Sequence, residues 1–112
     1  MATGVIKCDK TAVISGGGVE CVQLGVISAN GTKTLTFSTN VRAILVIISG
    51  VSAQNGMYTI YGGTGTVVTK AISASSVITL DTGTSGKLKI TSTAALRAYV
   101  LVLEGNGGFT VS

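Results

Sequence analysis

The sequence predicts an all-β fold: an antiparallel β-sandwich, jelly-roll-like, formed as a single domain over residues 1–112. Three observations predict it. Short segments of alternating apolar and polar residues, rich in Thr, Val and Ile, recur along the chain between clusters of Gly, Asn and Ser, which is the chemistry of strands and turns. Proline is absent, and no segment combines a 3.6-residue apolar period with capping residues, so no helix longer than a turn is expected. Finally, two stretches are apolar on both strand faces, which places them at the centre of a layered sheet.

From the N-terminus, 5–8 and 11–15 are short strand candidates, and Ser15-Gly16-Gly17-Gly18 is a hinge or wide turn. Residues 19–28 form a longer strand in which Gly25 marks a bulge. Ala29-Asn30-Gly31-Thr32 reads as a type I′ turn into the alternating strand 32–39, with Leu35 and Phe37 inward and Thr34, Thr36 and Ser38 outward. The most apolar stretch, 41–50, follows: after Arg42 come six apolar residues, most of them β-branched, which favours a pleated over a helical conformation. Gln54-Asn55-Gly56 is a second Asn-Gly turn, into 57–61, and Gly62-Gly63-Thr64-Gly65 ends that strand. Strands are expected at 67–72 and 76–81, a polar turn at 81–86, and a last short strand at 109–112, about nine or ten strands in all.

Residues 34–50 have a near copy at 87–105. In each, an alternating strand is followed by a short polar turn and an Arg-Ala step, Arg42-Ala43 or Arg97-Ala98, into a strand apolar on both faces and ending at Gly; only Ala94-Ala95 interrupts the alignment. The pattern predicts two pseudo-repeated hairpins. Two copies are too few for a solenoid, so a sandwich with related halves is the better reading. Its expected core is Leu35, Phe37, Ile44, Val46, Ile78, Leu80, Leu88, Ile90, Val100 and Val102.

Composition narrows the function. Charged residues make up 11% of the chain, against about 25% in a typical domain, while Gly, Ser and Thr supply the polar surface. Such a surface is poorly protected against association. The net charge of +4 comes from eight scattered basic residues with no basic run, and only Lys87 and Lys89 share a strand face, so nucleic acid is not an expected partner. With no histidine and only Cys8 and Cys21 as thiols, zinc lacks its ligands; no metal or other cofactor is expected, and both thiols are expected to be reduced and partly buried. Acid-base catalysis has only Asp9, Glu20, Asp81 and Glu104 to draw on, and the Ser and Thr hydroxyls have no evident base. The glycine triplet is not followed by the Lys-Ser or Lys-Thr of a phosphate-binding loop. The expectation is a protein that is not an enzyme and has no catalytic residues.

Aromatic residues are the remaining candidates for recognition. Tyr58, Tyr61, Tyr99 and Phe109 are candidate interface residues; Tyr58 and Tyr61 are also candidate glycan contacts, falling on opposite strand faces so that at most one belongs to the core. A monomeric glycan- or receptor-binding module is thus the rival to an assembly protein. The hairpin pattern 34–47 and its copy 88–102 resembles the small all-β structural proteins of tailed bacteriophage virions: head decoration proteins, head-fibre bases and tail-fibre sandwiches. The resemblance implies a sandwich or jelly-roll virion protein without enzymatic activity, working as a homo-oligomer with a trimer favoured, docked to other virion proteins on the virion surface, with a host-surface glycan as a further candidate partner. The start Met1-Ala2-Thr3-Gly4 lacks the features of a signal peptide, and no apolar segment reaches the roughly 18 residues of a membrane span, so synthesis in the host cytoplasm and no membrane insertion are expected.

Overall fold

The computed structural model describes residues 19–112. The strand candidates 5–8 and 11–15, the glycine hinge and Cys8 lie outside the described residues. The remainder folds as nine strands: β1 (Glu20–Ile27), β2 (Gly31–Phe37), β3 (Val41–Ile48), β4 (Gly56–Gly62), β5 (Val67–Ser73), β6 (Ile78–Asp81), β7 (Lys87–Ser92), β8 (Leu96–Glu104) and β9 (Phe109–Val111). One turn of 3-10 helix, Ser52–Gln54, is the only helical element among the described residues. The strands make two antiparallel sheets, a five-stranded one in the order β1-β8-β3-β4-β5 and a four-stranded one in the order β6-β7-β2-β9. Packed face to face they form the expected sandwich, whose 21 Å thin dimension is that of two sheets about 10 Å apart with their outward side chains. The β1-β2 and β8-β7 segments run side by side as a ribbon that passes from one sheet to the other, the wrapping that characterises a jelly roll, while β3-β4-β5 continue as a meander within the larger sheet.

The repeat is real in space, but its units are not hairpins. β2 and β3 belong to different sheets, as do β7 and β8; the two copies pair with each other, β2 with β7 and β3 with β8. A tight hairpin needs a turn with positive φ, and Ser38-Thr39-Asn40 has none, since Asn30 is the only non-glycine residue with positive φ among the described ones. The three residues instead carry the chain through the thickness of the sandwich, where Ser38 and Thr39 donate their backbone N–H groups to the carbonyl of Gly108 at 2.8 and 3.4 Å. In the second copy Ser92 Oγ donates to the Ala94 carbonyl and accepts from the Ala94 N–H at 3.2 Å, which is how the Ala94-Ala95 insertion is absorbed.

The same change corrects the expected turn at Asn30. β1 and β2 lie in different sheets, so 28–31 is a corner and not a hairpin loop. The Gly31 N–H bonds the Ser28 carbonyl at 2.8 Å, and only the third turn residue, Asn30 at φ 63°, is left-handed, whereas type I′ requires two. Gly25 does mark a bulge in β1, with φ 76° and a register shift against β8. The Gln54-Asn55-Gly56 turn is replaced by the 3-10 turn, held by Asn55 Oδ1 accepting from Ser49 N–H at 2.8 Å.

The core fills the space between the sheets. Leu35, Phe37, Leu88, Ile90, Val100 and Val102 are buried as expected, and Ile78 and Leu80 are half-buried against them. Ile44 and Val46 are not core residues. In β3 the inner face is Val41, Ala43, Leu45 and Ile47, all buried, while Ile44 and Val46 are half-buried on the other side. β4 adds Tyr58 and Ile60, and Gly62 leaves room for the Phe37 ring, where a Cβ would come within 2.5 Å.

Candidate interaction face

Four ranks of outward side chains cross the five-stranded sheet. From β1 to β5 the central two are Cys21, Leu101, Ile44, Thr59, Lys70 and Gln23, Tyr99, Val46, Met57, Ser73. At one end lie Val26, Arg97 and Ile48; at the other, Glu104, Arg42, Tyr61 and Val68. Much of this face is apolar and meets solvent: Ile44, Val46, Tyr99 and Leu101 in the middle are half-buried, Met57 beside them is 39% exposed, and towards the ends Ile48 and Leu103 are each 47% and Val68 54% exposed. The cause lies in the sequence. β3 and β8 alternate apolar with apolar, and the four-stranded sheet covers one side of them only.

The other outer face is of the opposite kind. On the four-stranded sheet Thr32 pairs with Thr91, Thr34 with Lys89 and Thr36 with Lys87, and Thr79 and Asp81 continue the polar surface. Lys87 Nζ donates to Thr36 Oγ1 at 3.1 Å, and the Thr32 and Thr91 hydroxyls lie 2.9 Å apart. A threonine and lysine face is stable in water, so among the described residues the sandwich has one polar and one apolar outer surface.

Charges sit at the rim of the apolar face. Arg42 Nη1 lies 3.3 Å from Glu104 Oε1, and its guanidinium stands 5.2 Å from the centre of the Tyr61 ring. Both ends of this ion pair are mostly exposed, so it orders side chains more than it stabilises the fold. Arg97 marks the opposite end of β8 and Lys70 the outer strand β5.

The aromatic candidates divide. Tyr61 is exposed on this face and Tyr99 half-buried on it, beside Val46 and Gln23. Tyr58 is not available to a glycan or a partner: it is 6% exposed in the core, and its hydroxyl accepts the Ser75 N–H at 2.7 Å. Phe109 sits at the sandwich edge with its ring 5.7 Å from that of Phe37, so it serves packing, not the face. As expected, one of Tyr58 and Tyr61 is core and the other is not. The larger part of the face, Ile44, Val46, Met57, Val68, Leu101 and Leu103, was not among the candidate interface residues named from the sequence, and Ile44 and Val46 were expected in the core. The parity of Arg42 and Arg97 would have found it, because a charged residue at the head of an apolar strand marks the face that meets solvent.

Among the described residues no three of His, Cys, Asp and Glu lie together as metal ligands. Glu104 is paired with Arg42, Asp81 accepts the Gly83 N–H at 2.8 Å on the other sheet, and Glu20 starts β1. Cys21 is exposed on the outer face of β1 opposite Leu101 and not partly buried as expected, because β1 is an edge strand of its sheet among the described residues. No helix among the described residues is long and apolar enough to cross a membrane. Fold and face together define an all-β sandwich with a broad apolar outer face on its five-stranded sheet. Comparison with protein-family models, curated proteins and solved structures finds no match.

Proposed function

We propose that this chain is a non-enzymatic structural protein that works by association with copies of itself and with other proteins of an assembly, and that the assembly is a tailed-phage virion. One observation carries the association: the apolar outer face of the five-stranded sheet, set against a polar outer face on the same molecule. Apolar area gains about 25 cal/mol per Å² on removal from water, so a partner on this face is favoured over solvent. The virion setting rests on the strand pattern of the two copies and belongs to the same proposal, as does the surface position that the resemblance implies. That resemblance favours three copies; the charges on the face favour a two-fold pair, as argued below.

The rival is a glycan-binding monomer. Its support is reduced by the burial of Tyr58, which leaves Tyr61 as the one exposed tyrosine on β4, already stacked with Arg42. The test has two arms. Light scattering of the purified full chain at micromolar concentration is expected to give a mass above the 11.2 kDa of one chain, and mass spectrometry of purified particles is expected to find the chain among the virion proteins. A lone chain at every concentration, absent from particles, overturns the proposal.

A further inference from the structure

The apolar face carries a charge pattern that selects how a second copy would lie on it. We infer that two copies pair through the outer faces of their five-stranded sheets about a two-fold axis running across the strands, so that Glu104 of each meets Arg97 of the other. This rests on the self-association reading and gives it a surface and an orientation.

Area comes first. Five strands about 4.8 Å apart, with outward ranks spread over about seven residues at about 3.3 Å each, make a face of roughly 500 Å². Two such faces bury about 1,000 Å² before the relief of the side chains is counted, which reaches the lower bound for a specific interface. Two sheets packed face to face also lie about 10 Å apart in any sandwich, so the contact repeats on the outside what the core does within.

Charge then decides the orientation. β3 is the central strand of the sheet, so a two-fold axis along the strands would set Arg42 directly against the partner's Arg42, two like charges in a contact that excludes water. An axis across the strands reverses the ranks instead. Ile44 then lies on the partner's Val46, Leu101 on the partner's Tyr99, and the end that carries Glu104 on the end that carries the partner's Arg97. Arg97 makes no ion pair within its own chain among the described residues, and Glu104 engages Arg42 through Oε1, which leaves Oε2 to accept from a second guanidinium. Lys70 falls over Ser73 of the partner subunit and not over another lysine. Self-association in this orientation closes after two copies, because each face is used up by the other.

The experiment is sedimentation equilibrium of the full chain with a charge-reversal cycle. Wild type is expected at about twice 11.2 kDa. Leu101→Lys, which places a charge in the middle of the face while the circular dichroism stays that of a β-protein, is expected to give single chains. Glu104→Arg and Arg97→Glu are each expected to weaken pairing by about tenfold or more, since each removes two contacts per pair, and the double variant to recover most of the loss. Pairing that the double variant does not recover overturns the orientation. Wild type at twice the chain mass but unaffected by Leu101→Lys overturns the face, and a mass of three or more chains overturns the two-fold axis; both leave self-association standing. A wild type that is single at every concentration overturns this pairing and self-association with it, leaving the particle arm to decide on other virion partners; if removal of residues 1–18 then allows pairing, the occupant of the face is the chain's own N-terminal segment.

Discussion

Ile44 and Leu45 show what alternate residues of one strand can differ by. They are adjacent, equally apolar and of similar size, yet Leu45 is fully buried between the sheets and Ile44 lies on the outer face. Hydropathy alone cannot tell them apart, which is why the two faces of β3 were assigned the wrong way round from the sequence. The repeat held the answer. Arg42-Ala43 aligns with Arg97-Ala98, so Leu45 aligns with Val100 and Ile47 with Val102, and the inward assignment of Val100 and Val102 implied Leu45 and Ile47. In single chains, Leu45→Ala is expected to cost about 2–5 kcal/mol through lost burial and a residual cavity. Ile44→Ala is expected to cost less than half as much, because no wall of side chains closes over it. Urea unfolding of both variants below the association range checks this; equal losses would show that the outer face is covered within one chain.

At the scale of elements, strand existence was legible and strand partnership was not. Every strand from β1 to β9 falls on a segment expected to be a strand, and the bulge at Gly25 was visible because an isolated glycine within a strand pattern marks one. The three corners 28–31, 38–40 and 92–95 look like hairpin turns in sequence, being short and polar, and differ only in backbone φ and in what their N–H groups reach across the sandwich. β9 closes the edge of the smaller sheet: Thr34 and Ser112 exchange two backbone hydrogen bonds at 2.9 Å, and Phe109 packs on Phe37. Deletion of residues 109–112 is expected to lower the melting temperature and to make the chain aggregate, since it opens β2 as an edge and uncovers Phe37. Thermal unfolding followed by both circular dichroism and turbidity checks this, and an unchanged midpoint without turbidity would show that β9 is dispensable.

Over the described residues the molecule is a two-layer sandwich with one apolar outer face. The sequence announced the surplus, in two strands apolar on both faces among loops with little apolar matter of their own, but hydropathy alone left open which face was spare and what rimmed it. The sandwich topology answers both: the four-stranded sheet takes one side of β3 and β8, and the other side is left with Ile44, Val46, Tyr99 and Leu101 between an Arg42-Glu104 pair and Arg97. Hydroxyl-radical footprinting of the full chain across a concentration series tests this most directly, because it reads each face separately. As concentration rises, Met57, Tyr61 and Leu103 are expected to lose reactivity together, while side chains of the threonine and lysine face, Lys87 and Lys89 among them, keep theirs. Reactivity at Met57, Tyr61 and Leu103 that stays constant at every concentration would contradict the account.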